Sequence, residues 1–178
     1  SEVNIKHYIG EMYFLRAKNY LSKLETFGDF PIIKNTLPDE NEPLTQASKR
    51  EPRHKVARFI LEDLDQTIGL LTNNISGGKN RITKNAALLL KSRAALFEAS
   101  WLTYHRGTAL VPGGSGWPGK AEDIADFNID TEIAFFLKEA KEAAKEVIGN
   151  AALMQNTAKD CMDETVKTDE DKYKMSNP

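Results

Sequence analysis

Along the first thirty residues, apolar positions recur at steps of four and three. Gly10, Phe14, Ala17, Leu21 and Leu24 fall on one stripe, which predicts a helix from about Val3 to Phe27. Tyr13, Tyr20 and Phe27 widen the stripe on one side. Tyr8, Met12 and Leu15 form a second apolar patch almost opposite, so this helix is expected to have neighbours on both faces. Gly28 suits the left-handed conformation that closes a helix, and Pro31 prevents resumption. The chain is expected to continue extended through Phe30 to Ile33.

Residues 35–53 are rich in turn formers (Asn35, Pro38, Asp39, Asn41, Pro43, Pro52) and read as a connector. A second helix is predicted from about Arg53 to Leu71. Its buried stripe is Ala57, Ile60, Leu61, Leu64, Ile68 and Leu71, with Arg58, Glu62, Asp65 and Gln66 facing away. A loop at 73–81 holds Gly77-Gly78. Thr83 can cap a third helix from about Lys84 to Tyr104. That helix is apolar nearly all round and is expected to be the most buried, with Ser92, Ala95 and Ala99 allowing close approach of its neighbours. A Gly/Pro-rich loop follows at 107–119. Asp130 is then expected to cap a fourth helix carrying Ile133, Phe136, Leu137, Ala140, Ala144, Val147 and Ile148, ending at Gly149-Asn150. No strand pairs are evident. The reading is all-α: one domain over 1–178, an array of about four main antiparallel helices, with a polar, mobile tail at 150–178.

Composition narrows the function classes. With 178 residues, 40% hydrophobic and 28% charged, the chain can build a genuine core. A net charge of −2 argues against a nucleic-acid binder, which needs a basic surplus. No apolar run approaches the ~20 residues that span a bilayer, and the amino terminus has no charged-then-apolar leader pattern. The single cysteine, Cys161, excludes an internal disulfide framework. The chain lacks an initiating Met and is expected to be a piece of something longer.

Gly114, Gly116 and Gly119-Lys120 imitate a phosphate-binding loop in letters only. Pro118 removes a backbone N–H, Ala121 stands where a hydroxyl is required, and a helix end rather than a strand precedes the loop. The same loop has two other readings. Trp117, between glycines and beside Pro118, can be displayed as a platform on which a sugar face stacks, with Tyr104, His105 and Arg106 nearby to supply a ring and hydrogen bonds. Alternatively, Trp117 pins its own loop onto the helices. His7, His54 and His105 are not expected to bind a metal. Glu62, Asp63 and Asp65 read as a solvated helix face, with Asp63 at its edge, rather than as a carboxylate pair. Asn74-Ile75-Ser76 is a bare glycosylation sequon. Lys138, Glu142 and Lys145 are ordinary surface charges. No catalytic residue, metal or cofactor is expected.

The string Gly10-Glu-Met-Tyr-Phe-Leu-Arg-Ala-Lys-Asn-Tyr-Leu, leading to Phe27-Gly28-Asp29-Phe30-Pro31-Ile32, resembles the SusD/RagB family. Members of that family carry a Phe-Leu-Arg-Ala helix that leads into Phe-Gly-Asp-Val-Pro-Leu. The order continues with an Arg-rich stretch (Arg50 to Arg53), Ile60-Leu-Glu-Asp63-Leu64, Arg81-Ile-Thr-Lys84 and Ala86-Ala87-Leu88, so the resemblance covers roughly residues 10–105. It implies a tetratricopeptide-type helical array in which Phe14, Arg16, Ala17, Phe27, Gly28, Asp29, Pro31, Asp63 and Leu64 are structural. Arg16 would tie its helix to a neighbour. It further implies an outer-membrane, cell-surface lipoprotein of Bacteroidetes that captures oligosaccharide without cleaving it. Its partner would be a TonB-dependent, SusC-like transporter. The leader and lipid-bearing cysteine of that family are not in this sequence. The alternative expectation is a helical protein–protein scaffold that makes no ligand contact itself.

Overall fold

The computed structural model describes residues 2–72 and 80–150. Gly77-Gly78, the Asn74-Ile75-Ser76 sequon, Cys161 and the tail from Ala151 lie outside the described residues. The order of elements is α1 (Glu2–Phe27), α2 (Asn41–Ala47), α3 (Arg53–Leu70), α4 (Lys84–Tyr104), a short 3₁₀ helix (Ala121–Ile124) and α5 (Ile129–Asn150). The fold is all-α, a TPR-like array of antiparallel helices. The 35–53 connector is not wholly irregular, because the seven-residue α2 forms within it.

Residue pairings set the direction of each helix. Gly10 meets Thr67, Arg16 meets Asp63, and Gly28 lies beside Arg53, so α1 and α3 run in opposite senses. Lys91 to Asp65 and Arg53 to Glu98 reverse α4 on α3. Lys84 to Glu146, Lys91 to Glu139 and Ser92 to Ala140 reverse α5 on α4. The core runs through these layers: Ala17, Leu21 and Leu24 of α1, Val56, Ile60 and Leu64 of α3, Ala95, Ala99 and Leu102 of α4, and Phe136 of α5. The small residues Ala95 and Ala99 are fully buried, where a larger side chain would separate the helices.

Three expectations about faces are corrected. The second apolar patch of α1 is real in sequence but uncovered: Tyr8, Met12 and Leu15 are 55%, 59% and 50% exposed. Helix α4 is not buried all round, since Leu89 and Leu96 face outward while Lys91 and Glu98 lie inside. On α5 the buried stripe is Phe136, Ala140 and Ala143, and Leu137 and Ile148 are exposed. Periodicity places apolar residues on faces, but which face is covered depends on where neighbours dock.

The cap of α5 also differs. Asn128 Oδ1 accepts the N–H of Thr131 at 3.0 Å, so Asn128 is the capping residue. Asp130 sits inside the first turn, where a negative charge suits the helix dipole, and pairs with Arg106. Thr83 does cap α4, accepting the N–H of Ala86 at 3.2 Å.

Asp63 is a further correction. Expected at the edge of a solvated face, it is buried, and its two oxygens accept Arg16 Nε and Nη2 at 2.7 and 2.8 Å. The pattern recurs among the described residues. Arg53 clamps Glu98 between α3 and α4, Arg58 clamps Glu132 between α3 and α5, and Arg81 clamps Glu11 of α1. Two-pronged guanidinium–carboxylate pairs fix geometry as well as supplying charge-assisted bonds. Here they set the register between helices that apolar packing alone leaves free to slide.

Candidate binding cleft at the exit of the first helix

The cleft is built by the turn that ends α1. Gly28 takes φ +69°, a left-handed conformation that a side chain would strain, and its N–H closes on the carbonyl of Leu24. The chain then runs extended and is pinned at several points. Phe30 pairs through its backbone with Glu51, Ile33 N–H donates to the Tyr20 hydroxyl at 2.8 Å, and Arg16 Nη1 donates to the Lys34 carbonyl at 3.2 Å. The ring of Phe27 stacks on Phe30 with centroids 5.8 Å apart. This corner delivers Asp29 to the start of α3. There Asp29 Oδ1 accepts the N–H of Arg53 at 2.8 Å, satisfying one of the unpaired donors of the helix end. Asp29 Oδ2 accepts the indole Nε1–H of Trp117 at 2.8 Å, which ties the 107–119 loop to the same corner.

The loop is otherwise held by its own backbone. Gly114, Ser115 and Trp117 N–H groups donate to the carbonyls of Val111, Gly107 and Gly114, so they do not converge on an anion as a phosphate loop requires. Gly119 must lack a side chain, because a Cβ there would come within 2.2 Å of the Trp117 ring. Val111 is buried, and Trp101 Nε1 donates to the Leu110 carbonyl at 3.1 Å.

Between the corner and the loop lies a cleft of about 210 Å³, walled by Phe27, Gly28, Asp29, Arg50, Arg53, Trp101, Trp117 and Pro118 among others. Arg53 forms its floor. It is 2% exposed, donates through Nε and Nη2 to Glu98, and lies 4.4 Å over the Trp101 ring. Burial pushes the carboxyl of Glu98 up, and the Arg53 guanidinium opposes that shift. His105 takes a second position against Trp101, with ring centroids 4.3 Å apart.

Of the residues singled out in sequence as ligand contacts, the structure brings Trp117 to this cleft and leaves the others outside its walls. Tyr104 is 85% exposed. His105 packs behind Trp101, and Arg106 is paired with Asp130. Trp117 is not a free platform either: it is half-buried, with its nitrogen engaged by Asp29. Sequence reasoning missed Trp101, Arg50, Arg53 and Glu98 as parts of one arrangement. A signal for Glu98 existed, since it sits at helical steps from Lys91, Ala94, Ala95 and Leu102 on the buried face of α4.

A second cavity, about 340 Å³, lies where the 122–127 segment packs against α3 and α5. His54 lines it, 6% exposed, with its ring 4.6 Å from Phe127 and Nδ1 without a partner. Burial lowers its pKa to about 4, with Glu132 opposing, so the ring is neutral at pH 7. The unfolded chain takes up this proton near pH 6.5 and the folded chain only near 4. Stability from keeping His54 neutral is therefore complete above pH 6.5 and is lost as pH falls towards 4. The difference amounts to about 3 kcal/mol. Urea unfolding from pH 7 to 4 should show this slope, and His54→Leu should flatten it; an equal slope in both would remove His54 as the cause.

Among the described residues, no group of three or more His, Cys, Asp or Glu is placed to hold a metal, and no helix is long and apolar enough to cross a membrane. No family model and no curated protein matches the chain. Among solved structures, the chain is similar to a SusD-like protein from Bacteroides fragilis, with 30% identity and a TM-score of 0.49. The match covers 57% of this chain and 19% of that one, so the chain spans about a fifth of that protein's length.

Proposed function

We propose that this chain is the helical core of a SusD-like surface lipoprotein that captures oligosaccharide without cleaving it and presents it to a TonB-dependent, SusC-like outer-membrane transporter. The observation that carries the reading is the corner at Phe27 to Pro31. The residues of the family-like string do not scatter over the fold. Arg16 holds α3 and the extended exit, Gly28 turns the chain, and Asp29 joins α3 to Trp117. The result is a cleft lined by two indoles and two arginines, side chains suited to the apolar face and the hydroxyl rim of a sugar. Glycoside hydrolysis needs two carboxylates free to act as acid and base, and of those described at the cleft only the exposed Glu25 is uncommitted. Asp29 is committed to Arg53 and Trp117, and Glu98 is buried against Arg53.

The test is titration of plant and host oligosaccharides against the protein, followed by tryptophan fluorescence, with Trp117→Phe and Trp117→Ala in parallel. Binding should survive Trp117→Phe with modest loss and fall about tenfold in Trp117→Ala, the cost of one stacked ring. A silent response from every sugar would remove the cleft from ligand capture. A second reading, a protein-interaction scaffold, is favoured by the uncovered apolar stripe of α1, where Ile5, Tyr8, Ile9, Met12 and Leu15 are exposed together. It expects co-purification with a transporter to be unchanged by Trp117→Ala and lost when Met12 and Leu15 become charged.

A further inference from the structure

The two arginines of the cleft differ in what they have left to offer. Arg53 spends Nε and Nη2 on Glu98, while its Nη1 donates to no described residue. That nitrogen is the nearest atom to the missing side chain of Gly28, 3.4 Å from where a Cβ would stand. Gly28 and Arg53 both line the cleft, so a buried, rigid guanidinium presents one unused edge to it. Arg50 lines the same cleft, is exposed, and has no partner among the described residues. Its charge is not cancelled by a neighbour, whereas that of Arg53 is cancelled by Glu98. Each oxygen of Asp29 already receives one donor, the backbone N–H of Arg53 on Oδ1 and the indole N–H of Trp117 on Oδ2. Glu25, exposed in the last turn of α1, and Asp29, whose two donors are neutral N–H groups, are the cleft carboxylates that oppose an anion, and Arg50 and the Arg53 edge are the groups that attract one. The volume, about 210 Å³, is below the ~300–1,000 Å³ of pockets for drug-sized molecules and suits one sugar ring rather than a chain of them.

We propose that the cleft takes an acidic sugar residue, with its carboxylate on Arg50 and the free edge of Arg53 and its ring against Trp117 and Pro118. This rests on the oligosaccharide-capture reading and adds the ligand's chemical class. An extended glycan would enter by one uronate unit, leaving the remaining units on the open surface beside Phe27 and Leu110. Two guanidinium groups meeting a carboxylate give charge-assisted hydrogen bonds with directional preference, which a neutral hydroxymethyl group cannot reproduce.

The experiment compares trisaccharides of galacturonate, and of glucuronate-containing sequence, with their carboxyl-reduced counterparts by calorimetric titration at low and at moderate salt. The acidic form should bind at least tenfold more tightly, with the advantage shrinking as salt rises. Arg50→Gln, at an exposed position without a partner among the described residues, should abolish the advantage, weakening the acidic sugar far more than the reduced one. Glu25→Gln should strengthen the acidic sugar by severalfold. Equal affinity for acidic and reduced forms would overturn the inference while leaving oligosaccharide capture standing. An acid preference that persists in Arg50→Gln would also overturn it, placing the anion elsewhere. No binding of either form, with other neutral oligosaccharides bound, sinks only the acidic assignment; no binding of any sugar sinks the capture reading with it.

Discussion

Replacing Glu98 by alanine is expected to lower stability by about 3–5 kcal/mol, the cost of stranding a buried charge. The Glu98 side chain is fully buried and Arg53 is 2% exposed, with Nη2 to Oε2 at 2.8 Å, so water cannot take the place of the lost carboxylate. For a chain of this size that corresponds to a melting-point drop of roughly 6–20 °C, read by thermal or denaturant unfolding. Glu98→Gln, which keeps the shape and one acceptor, should lose less. The double variant Arg53→Met/Glu98→Leu should recover much of the loss, because a buried pair exchanged for apolar bulk also removes its desolvation cost. A loss below about 1 kcal/mol in Glu98→Ala would show that Arg53 finds another partner or escapes to solvent.

Asp29→Ala should cost about 2–4 kcal/mol and alter the cleft at the same time. One part is the cap, since Asp29 Oδ1 holds the first N–H of α3, an interaction worth about 1 kcal/mol. The other part is the indole N–H of Trp117, left half-buried without its acceptor at about 1–3 kcal/mol. Tryptophan emission should shift to the red as the loop comes away from the corner. Asp29→Ser can still cap the helix but cannot reach the indole, so it should show the spectral shift with a smaller stability loss. An unchanged spectrum in both variants would mean that Asp29 does not hold the loop.

The other expected results, a pH slope that depends on His54 and binding that depends on Trp117 and Arg50, read different parts of the same molecule. His54 reports the packing of the 122–127 segment, and Trp117 and Arg50 report the cleft. None requires the others to succeed.

Much of the helical frame was legible in the residues. The stripe from Gly10 to Leu24, the glycine stop at Gly28, the Thr83 cap and the α3 stripe through Ile60 and Leu64 are local patterns, and each is decided within one or two turns of chain. The α5 cap was misplaced by two residues because Asp130 and Asn128 are both good capping residues, and the choice between them falls to the chain that leads into the helix. The short α2 escaped notice because seven residues among turn formers carry too few apolar positions to show a period.

The candidate cleft was legible only in part. Trp117 stood out because an indole among glycines is conspicuous, and the Phe27 to Pro31 string stood out because the resemblance marked it. Their meeting through Asp29, 88 residues from Trp117, has no local signature. The acidic residues were the poorest guide. Asp63 stood at the edge of a solvated face and Glu11, Glu98 and Glu132 drew no expectation, yet each is buried against an arginine from another segment.

The amino-acid sequence alone determined that this chain makes amphipathic helices, where most of them start and stop, and that they pack through small and branched apolar residues. Those outcomes follow from backbone and side-chain preferences acting over a few residues. Tertiary structure decided which apolar face of α1 is covered, which carboxylates lose their water, and that the turn after α1 and the loop holding Trp117 enclose a single cleft. Burial and ion pairing are properties of groups brought together from distant parts of the chain, and their energies exist only once both partners have left water.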